Sequence, residues 1–90
     1  MLLHIGNDIC VNTKYVVGIF DLERTSVSRL TRDFLNNAVK KGKKVIYCTE
    51  EMPKSFIVTL DDELTECIYI SQLACPTLLK RYEKGYGQEN

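Results

Sequence analysis

The sequence predicts a small α+β domain with a mainly antiparallel sheet, one amphipathic helix and a short C-terminal helix. Short apolar and β-branched runs are separated by turn residues, whereas two other stretches have helical spacing. The segments follow the order β-β-β-α-β-β-β-α, with no linker or repeat. We therefore expect one domain over residues 1–84 and a flexible C-terminal tail over residues 85–90.

Three strands are predicted before the first helix. Leu2–Ile5 and Ile9–Val11 flank the turn residues Gly6-Asn7-Asp8, which is the pattern of a β-hairpin. A second turn leads to Tyr15–Phe20. This third run is apolar throughout, so we expect it to be buried on both faces.

The first helix has the most regular spacing in the chain. Ser26 is its candidate N-cap, and Gly42 is its candidate stop, flanked by lysines that suit the negative end of the helix dipole. The apolar positions fall on one side of a helix: Val27, Leu30, Phe34, Leu35 and Ala38. The pattern predicts an amphipathic helix that packs one face on the sheet.

Three more strands are predicted after this helix. The first is Val45–Cys48. Pro53 cannot donate to a strand ladder, so it belongs at a strand entrance or an edge. Ser55–Leu60 and Leu64–Ile70 are rich in β-branched residues and form a hairpin around Asp61-Asp62.

The last helix is short. Pro76 suits its first turn, and Gly85 its stop, so we expect it to run to about Lys84. A helix of this length needs tertiary or quaternary contacts. Its predicted packing face is apolar, with Leu73, Leu78, Leu79 and Tyr82.

The charge balance does not mark the chain as a nucleic-acid binder, because 12 basic and 12 acidic residues cancel. The charges are segregated, however, so a neutral chain can still present a basic stripe. The basic groups are Lys40–Lys44 and Lys80, Arg81 and Lys84; the acidic groups are Glu50-Glu51 and Asp61-Asp62-Glu63. With neither a signal peptide nor a membrane span in the sequence, we expect a cytoplasmic protein.

The sequence offers no catalytic or metal-binding motif, so we expect no enzyme and no cofactor. His4 alternates with apolar neighbours and is predicted to lie on the outer face of an edge strand. Asp61-Asp62-Glu63 lacks the glycine and the spaced ligands of a calcium loop, which favours a solvated turn. Without CxxC spacing, the four cysteines are expected to be reduced, and three to be small buried hydrophobes: Cys10, Cys48 and Cys67, with Cys75 the fourth.

Two lysines are candidate phosphate contacts. Lys14 and Lys54 each precede a strongly apolar strand, where an ordered backbone holds a cation near a rim. From the residues alone, the better interpretation is that they are ordinary solubilising lysines. The cluster Lys40–Lys44 is better explained by the helix end that it follows.

The chain resembles the RemA/RemB family of bacterial extracellular-matrix (biofilm) regulatory proteins, from about Leu2 to Tyr82, and more closely the RemB-like branch. None of the segments on which this resemblance rests is a catalytic signature. They are His4-Ile5-Gly6, Ile19-Phe20-Asp21, Pro53-Lys54-Ser55 and Thr77-Leu78-Leu79-Lys80-Arg81.

The resemblance implies a non-enzymatic regulator of extracellular-matrix genes. RemA-type members assemble into rings and bind DNA through arginines, and Lys14 stands where one of these basic residues is found. A Gly-Arg-Arg turn supplies the others, but this chain has Glu50-Glu51-Met52-Pro53-Lys54 there. Lysine does not reproduce the bidentate grip of arginine on phosphate, and glutamates repel it.

We therefore expect a homo-oligomer, in the form of a ring, that contacts the backbone of double-stranded DNA through Lys14 and Lys54. The alternative is an oligomeric protein-interaction scaffold that has lost DNA binding, with Glu50 and Glu51 on its functional rim. Neither hypothesis includes a membrane or a small-molecule substrate.

Overall fold

The computed structural model describes residues 1–23 and 25–88, with side chains except those of 25–28, 30, 31 and 85–88. Over these residues the strands and helices follow the predicted order, which confirms the α+β class. The elements are β1 (Leu2–Gly6), β2 (Ile9–Asn12), a 3-10 turn (Thr13–Tyr15), β3 (Val16–Asp21), α1 (Thr25–Lys40), β4 (Lys44–Tyr47), β5 (Ser55–Leu60), β6 (Glu66–Ser71) and α2 (Cys75–Gln88).

The strands form two sheets. β1 and β2 make an antiparallel hairpin of their own, and the other four strands lie in the order β3-β5-β6-β4. β5 is antiparallel to both of its neighbours, whereas β4 is parallel to β6. The larger sheet is therefore mainly antiparallel with one parallel edge pair.

The β1–β2 hairpin turns where its sequence predicts. Asn7 has φ 46° and Asp8 has φ 62°. Two successive left-handed residues are typical of a type I′ hairpin turn, and asparagine and aspartate tolerate this conformation better than most residues. The preceding Gly6 has φ 127°, which side chains rarely adopt.

The β5–β6 hairpin is confirmed, but β6 begins at Glu66 and not at Leu64. The carboxylate of Asp61 accepts hydrogen bonds from the backbone N–H groups of Glu63 and Thr65, both at 2.9 Å. These bonds wrap the chain around Asp61 and place Leu64 at φ 63°, outside the strand.

Two apolar clusters pack on opposite faces of the larger sheet. Side chains alternate along β5, so Ile57 faces the hairpin and α2 whereas Phe56 and Val58 face α1. The first cluster contains Leu3, Ile5, Val11, Cys48, Ile57 and Leu78. The second contains Ala38, Phe56, Val58, Ile68 and Ile70.

The prediction that the third strand is buried on both faces is wrong. β3 is an edge strand of the larger sheet, and Val17 and Phe20 remain 65% and 43% exposed. The register with β5 also shifts between Val16 and Gly18, which leaves Val17 without a partner in the ladder. An apolar run does not distinguish a central strand from an edge strand with an uncovered face.

α1 ends as predicted but begins earlier. Gly42 has φ 75°, its N–H donates to the carbonyl of Val39, and the N–H of Lys43 donates to that of Ala38, both at 3.0 Å. These two bonds form a Schellman motif. At the other end, the helix already includes Ser26, which is therefore not its N-cap. The side chains of the apolar residues Val27 and Leu30 lie outside the described part of the chain.

α2 extends beyond the predicted end at Lys84 to Gln88. Gly85 costs about 1 kcal/mol relative to alanine inside a helix, which is not enough to end one. The flexibility of the tail stays a prediction, and residues 89–90 lie outside the described range. As described, neither α1 nor α2 is long and apolar enough to cross a membrane.

The predicted packing face of α2 is correct at Leu78 and Tyr82, whereas Leu73 precedes the helix, which begins at Cys75. Leu78 is fully buried, and Leu73 and Tyr82 pack against the same cluster. Leu79 is 44% exposed, because it lies about 100° around the helix from Leu78.

Candidate functional site

Lys14 lies at the centre of the 3-10 turn that leads into β3. The side chain of Asn12 caps this turn by accepting a hydrogen bond from the N–H of Lys14 at 3.1 Å. Thr13 is buried, and its N–H donates to the carbonyl of Met1 at 2.9 Å. The side chain of Lys14 is exposed, with Nζ 4.9 Å from the centre of the Tyr15 ring. The turn therefore holds a solvent-facing cation on an ordered backbone.

Lys54 lies directly before β5, and its backbone is bound from both sides. Its N–H donates to the carbonyl of Ser71, and its carbonyl accepts from the N–H of Leu22, both at 2.9 Å. The side chain is exposed. Within the described residues, neither Lys54 nor Lys14 forms an ion pair. Both ammonium groups are therefore available to an external anion.

The structure does not bring the two lysines together. β3 and β5 are antiparallel, so Val16 lies opposite Thr59 and Asp21 lies opposite Ser55. Lys14 and Lys54 are consequently at opposite ends of this strand pair, roughly 20 Å apart at about 3.3 Å per residue. On one copy of the chain they are two separate points of positive charge.

The acidic turn lies at the same end of the sheet as Lys54. β4 runs parallel to β6, and the N–H of Cys48 donates to the carbonyl of Ile70 at 2.8 Å, so the chain leaves β4 where β6 ends. Thr49 then fixes the turn: its hydroxyl donates to the side chain of Gln72 at 2.6 Å and accepts from the N–H of Glu51 at 2.9 Å. Glu50 and Glu51 are exposed on this turn.

The other polar candidates have structural partners. The carboxylate of Asp61 closes its own turn, and that of Asp62 accepts from the hydroxyl of Tyr15 at 3.0 Å. Lys43 forms an ion pair with Glu66 at 3.2 Å. No group of three or more metal-ligating side chains occurs among residues 1–23 and 25–88. The interpretation of the acidic hairpin turn as a structural one agrees with these contacts.

The cysteines differ from the prediction at one position. Cys48 and Cys67 are buried as expected, but Cys10 of β2 is exposed. Burial raises the pKa of the Cys48 thiol, and the nearby Cys67 adds to this rise. The same surroundings raise the pKa of Tyr69 to about 12, mainly by burial and then through its contact with Cys67. The Cys48 thiol and the Tyr69 hydroxyl are therefore neutral near pH 7.

A half-open cavity of about 300 Å³, which the sequence did not indicate, lies between β2 and the end of the larger sheet nearest Lys14. The alternation of strand residues is the signal that places three of its side chains, Thr59, Cys67 and Tyr69, on one face. Its remaining lining comes from β2, from the β5–β6 turn and from Tyr15 and Lys44.

An apolar groove of about 360 Å³ opens on the other face of the sheet. Phe20 stacks on Phe56 with ring centres 4.7 Å apart, and Phe34 of α1 stacks on Phe56 at 5.9 Å. Phe20, Phe34 and Val17 are each more than 40% exposed. A patch of this kind on a small domain is typical of an interaction surface.

Comparison with known proteins relates the chain to a family that is described as regulatory. Residues 2–82 match the RemA-like family, described as extracellular matrix regulatory protein A-like. The chain belongs to this family. One relative is extracellular matrix regulatory protein B of Bacillus subtilis (strain 168), which is 37% identical over 81 residues. The aligned part covers 90% of this chain and 89% of that relative.

Proposed function

We propose that this protein is a non-enzymatic, homo-oligomeric regulator of extracellular-matrix genes that binds the backbone of double-stranded DNA. Membership of the RemA-like family supports the regulatory role. The observation on which the DNA part rests is the setting of Lys14 and Lys54, two exposed cations without ion pairs on backbones fixed by hydrogen bonds. Ordered cations of this kind position a protein on a duplex without distinguishing its sequence.

The two lysines of one copy are too far apart to contact neighbouring phosphates. Along one strand a phosphate recurs every 3.4 Å of the helix axis. A separation of roughly 20 Å therefore corresponds to about six phosphates. Lys14 and Lys54 of one copy would then contact well-separated phosphates, and further copies would repeat both contacts.

Self-association is part of the proposal. One copy leaves Val17, Phe20 and Phe34 exposed in one groove, and a second copy of the chain is its proposed occupant. Joining several copies multiplies weak phosphate contacts, because each contact after the first becomes intramolecular. Light scattering of the purified protein tests this point: a mass of one chain at micromolar concentration would refute it.

The DNA part is tested by fluorescence anisotropy with a labelled duplex of roughly 40 base pairs, at about 50 and 200 mM salt. We expect binding at the lower salt that collapses at the higher one. Replacing Lys14 and Lys54 together by alanine is expected to weaken this binding and to make its salt dependence less steep. The matched control replaces Lys40 and Lys41, which are also exposed, by alanine. Equal binding of the two double variants would refute the site assignment.

The acidic turn favours a second candidate function, an oligomeric protein-interaction scaffold. Glu50 and Glu51 are exposed on a turn that Thr49 and Gln72 fix by hydrogen bonds, so they present ordered negative charge. A folded, oligomeric protein that does not bind duplex at about 50 mM salt would favour the scaffold.

A further inference from the structure

A basic stripe runs along one side of α2. Thr77, Lys80, Arg81 and Lys84 are exposed and together line a surface groove of about 370 Å³. Their spacing of three, four and seven residues from Thr77 places them on neighbouring turns of one helix side. The stripe is separate from both Lys14 and Lys54, which belong to the ends of β3 and β5.

Arg81 is held in place at the centre of this stripe. Its Nη1 donates to the carbonyl oxygen of His4 at 3.2 Å and lies 3.3 Å from Nδ1 of the His4 ring. Both contacts use one nitrogen of the guanidinium, whose other two nitrogens also bear N–H donors. The side chain is thus fixed before any ligand binds, which lowers the entropy lost on binding.

The cations of the stripe are not neutralised by the chain itself. Within residues 1–23 and 25–88, no ion pair involves Lys80, Arg81 or Lys84. Among the described side chains, the groove has no apolar lining residue, because Leu78 faces the core and Leu79 lies on another side of the helix. Protein partners are usually bound around buried aromatic or aliphatic anchors, whereas phosphates are bound by cations and hydroxyl groups.

We infer that this α2 stripe is a second surface for the phosphate backbone of duplex DNA. The inference rests on the proposed function and adds a site that Lys14 and Lys54 do not include. From Lys80 to Lys84 the helix rises about 6 Å, at 1.5 Å per residue. Three successive phosphates of one strand span about 7 Å of the duplex axis, which is two steps of 3.4 Å. The three cations therefore match three successive phosphates in number and in span.

The test uses the full chain and a labelled duplex of roughly 40 base pairs, titrated between about 50 and 200 mM salt. Lys80→Gln/Lys84→Gln is compared with Lys40→Gln/Lys41→Gln, which removes the same charge from exposed positions at the end of α1. The slope of log K against log salt is negative, and each lost phosphate contact makes it less steep by about 0.9. The slope of the α2 variant is therefore expected to be less steep than that of the wild type by about 1.8 per engaged copy. Arg81→Gln is expected to make the slope less steep by about 0.9.

Three outcomes contradict the inference. If the wild type binds and the α2 variant has the slope of its control, the stripe is not a DNA contact, and the proposed function stands. If the wild type does not bind duplex, the DNA part of the proposed function fails and this inference fails with it. If the α2 variant changes the mass measured by light scattering, the stripe contacts another copy of the chain instead.

Discussion

Replacing Ser71 by alanine is expected to weaken the attachment of the β1–β2 hairpin to the larger sheet and to destabilise the domain. Ser71 is fully buried at the end of β6. Its hydroxyl donates to the carbonyl of Ile5 at 2.6 Å and accepts from the N–H of Leu73 at 3.0 Å. One side chain thus joins the hairpin, the sheet and the segment that leads into α2.

The cost of this change follows from the groups that it leaves unpaired. Alanine removes the hydroxyl and leaves a carbonyl acceptor and an N–H donor in the interior without hydrogen-bond partners. Each unsatisfied group lowers the free energy of unfolding by about 1–3 kcal/mol. Relaxation recovers part of the sum, so we expect Ser71→Ala to lower the free energy of unfolding by about 2–4 kcal/mol. Domains of this size have about 5–15 kcal/mol in total. The thermal midpoint should fall by roughly 10–25 °C.

The assay is equilibrium urea denaturation of the wild type, Ser71→Ala and Ser55→Ala. Ser55 is the matched control, because it is also fully buried and lies opposite Ser71 in the β5–β6 register. Its hydroxyl makes one hydrogen bond, to the carbonyl of Leu73 at 2.7 Å. We expect Ser55→Ala to lower the free energy of unfolding by about 1–2 kcal/mol, which is less than the decrease expected for Ser71→Ala. A Ser71 variant within about 0.5 kcal/mol of the wild type would refute the argument.

Two further changes test the fold. Gly6→Ala is expected to cost about 1–3 kcal/mol in urea denaturation, because a Cβ at φ 127° would lie 3.3 Å from the carbonyl oxygen of Cys48; unchanged stability would contradict this. The pKa of Tyr69 is about 12 in the folded protein and about 10 in the unfolded chain. Its contribution to the free energy of unfolding is therefore complete below pH 10 and is lost between pH 10 and 12. Tyr69→Phe should therefore lose less stability than the wild type between pH 10 and 12, and equal losses would refute the assignment.

The parts of the fold that depend on neighbouring residues could be predicted from the sequence. The hairpin turn follows from Asn7 and Asp8, which accept positive φ, and the end of α1 follows from Gly42. The strand partners could not be predicted, because pairing depends on contacts between distant segments. Nothing in Val45–Cys48 indicates that β4 pairs in parallel with β6 at the edge of the sheet.

The apolar groove that Val17, Phe20 and Phe34 line is a second feature that the sequence alone does not predict. Val17 and Phe20 belong to an apolar run, and an apolar run is expected to be buried. In the proposed oligomer the same residues form an interaction surface, which an isolated chain leaves exposed. Hydrophobic pattern alone does not separate these two cases, since both remove apolar surface from water in the assembled state.

The candidate site was predicted in its parts but not in its geometry. Lys14 and Lys54 do precede β3 and β5, as their sequence positions indicated. Their placement at opposite ends of the sheet follows only from the antiparallel pairing of the two strands. The clamp of Arg81 on His4 joins residues from the two ends of the chain, and no local pattern contains it.

The charges at the two ends of the sheet explain why oligomerisation and DNA binding belong together in the proposed function. Lys54 shares its end with Glu50 and Glu51, and Lys14 shares the other end with the carboxylate of Asp62, which Tyr15 binds. Each lysine therefore acts in a field that neighbouring acids weaken. Contacts of this strength hold a duplex only when several act at once, and linking sites raises affinity by about 10²–10⁴. Dissociating the assembly should then abolish DNA binding even though every lysine is still present.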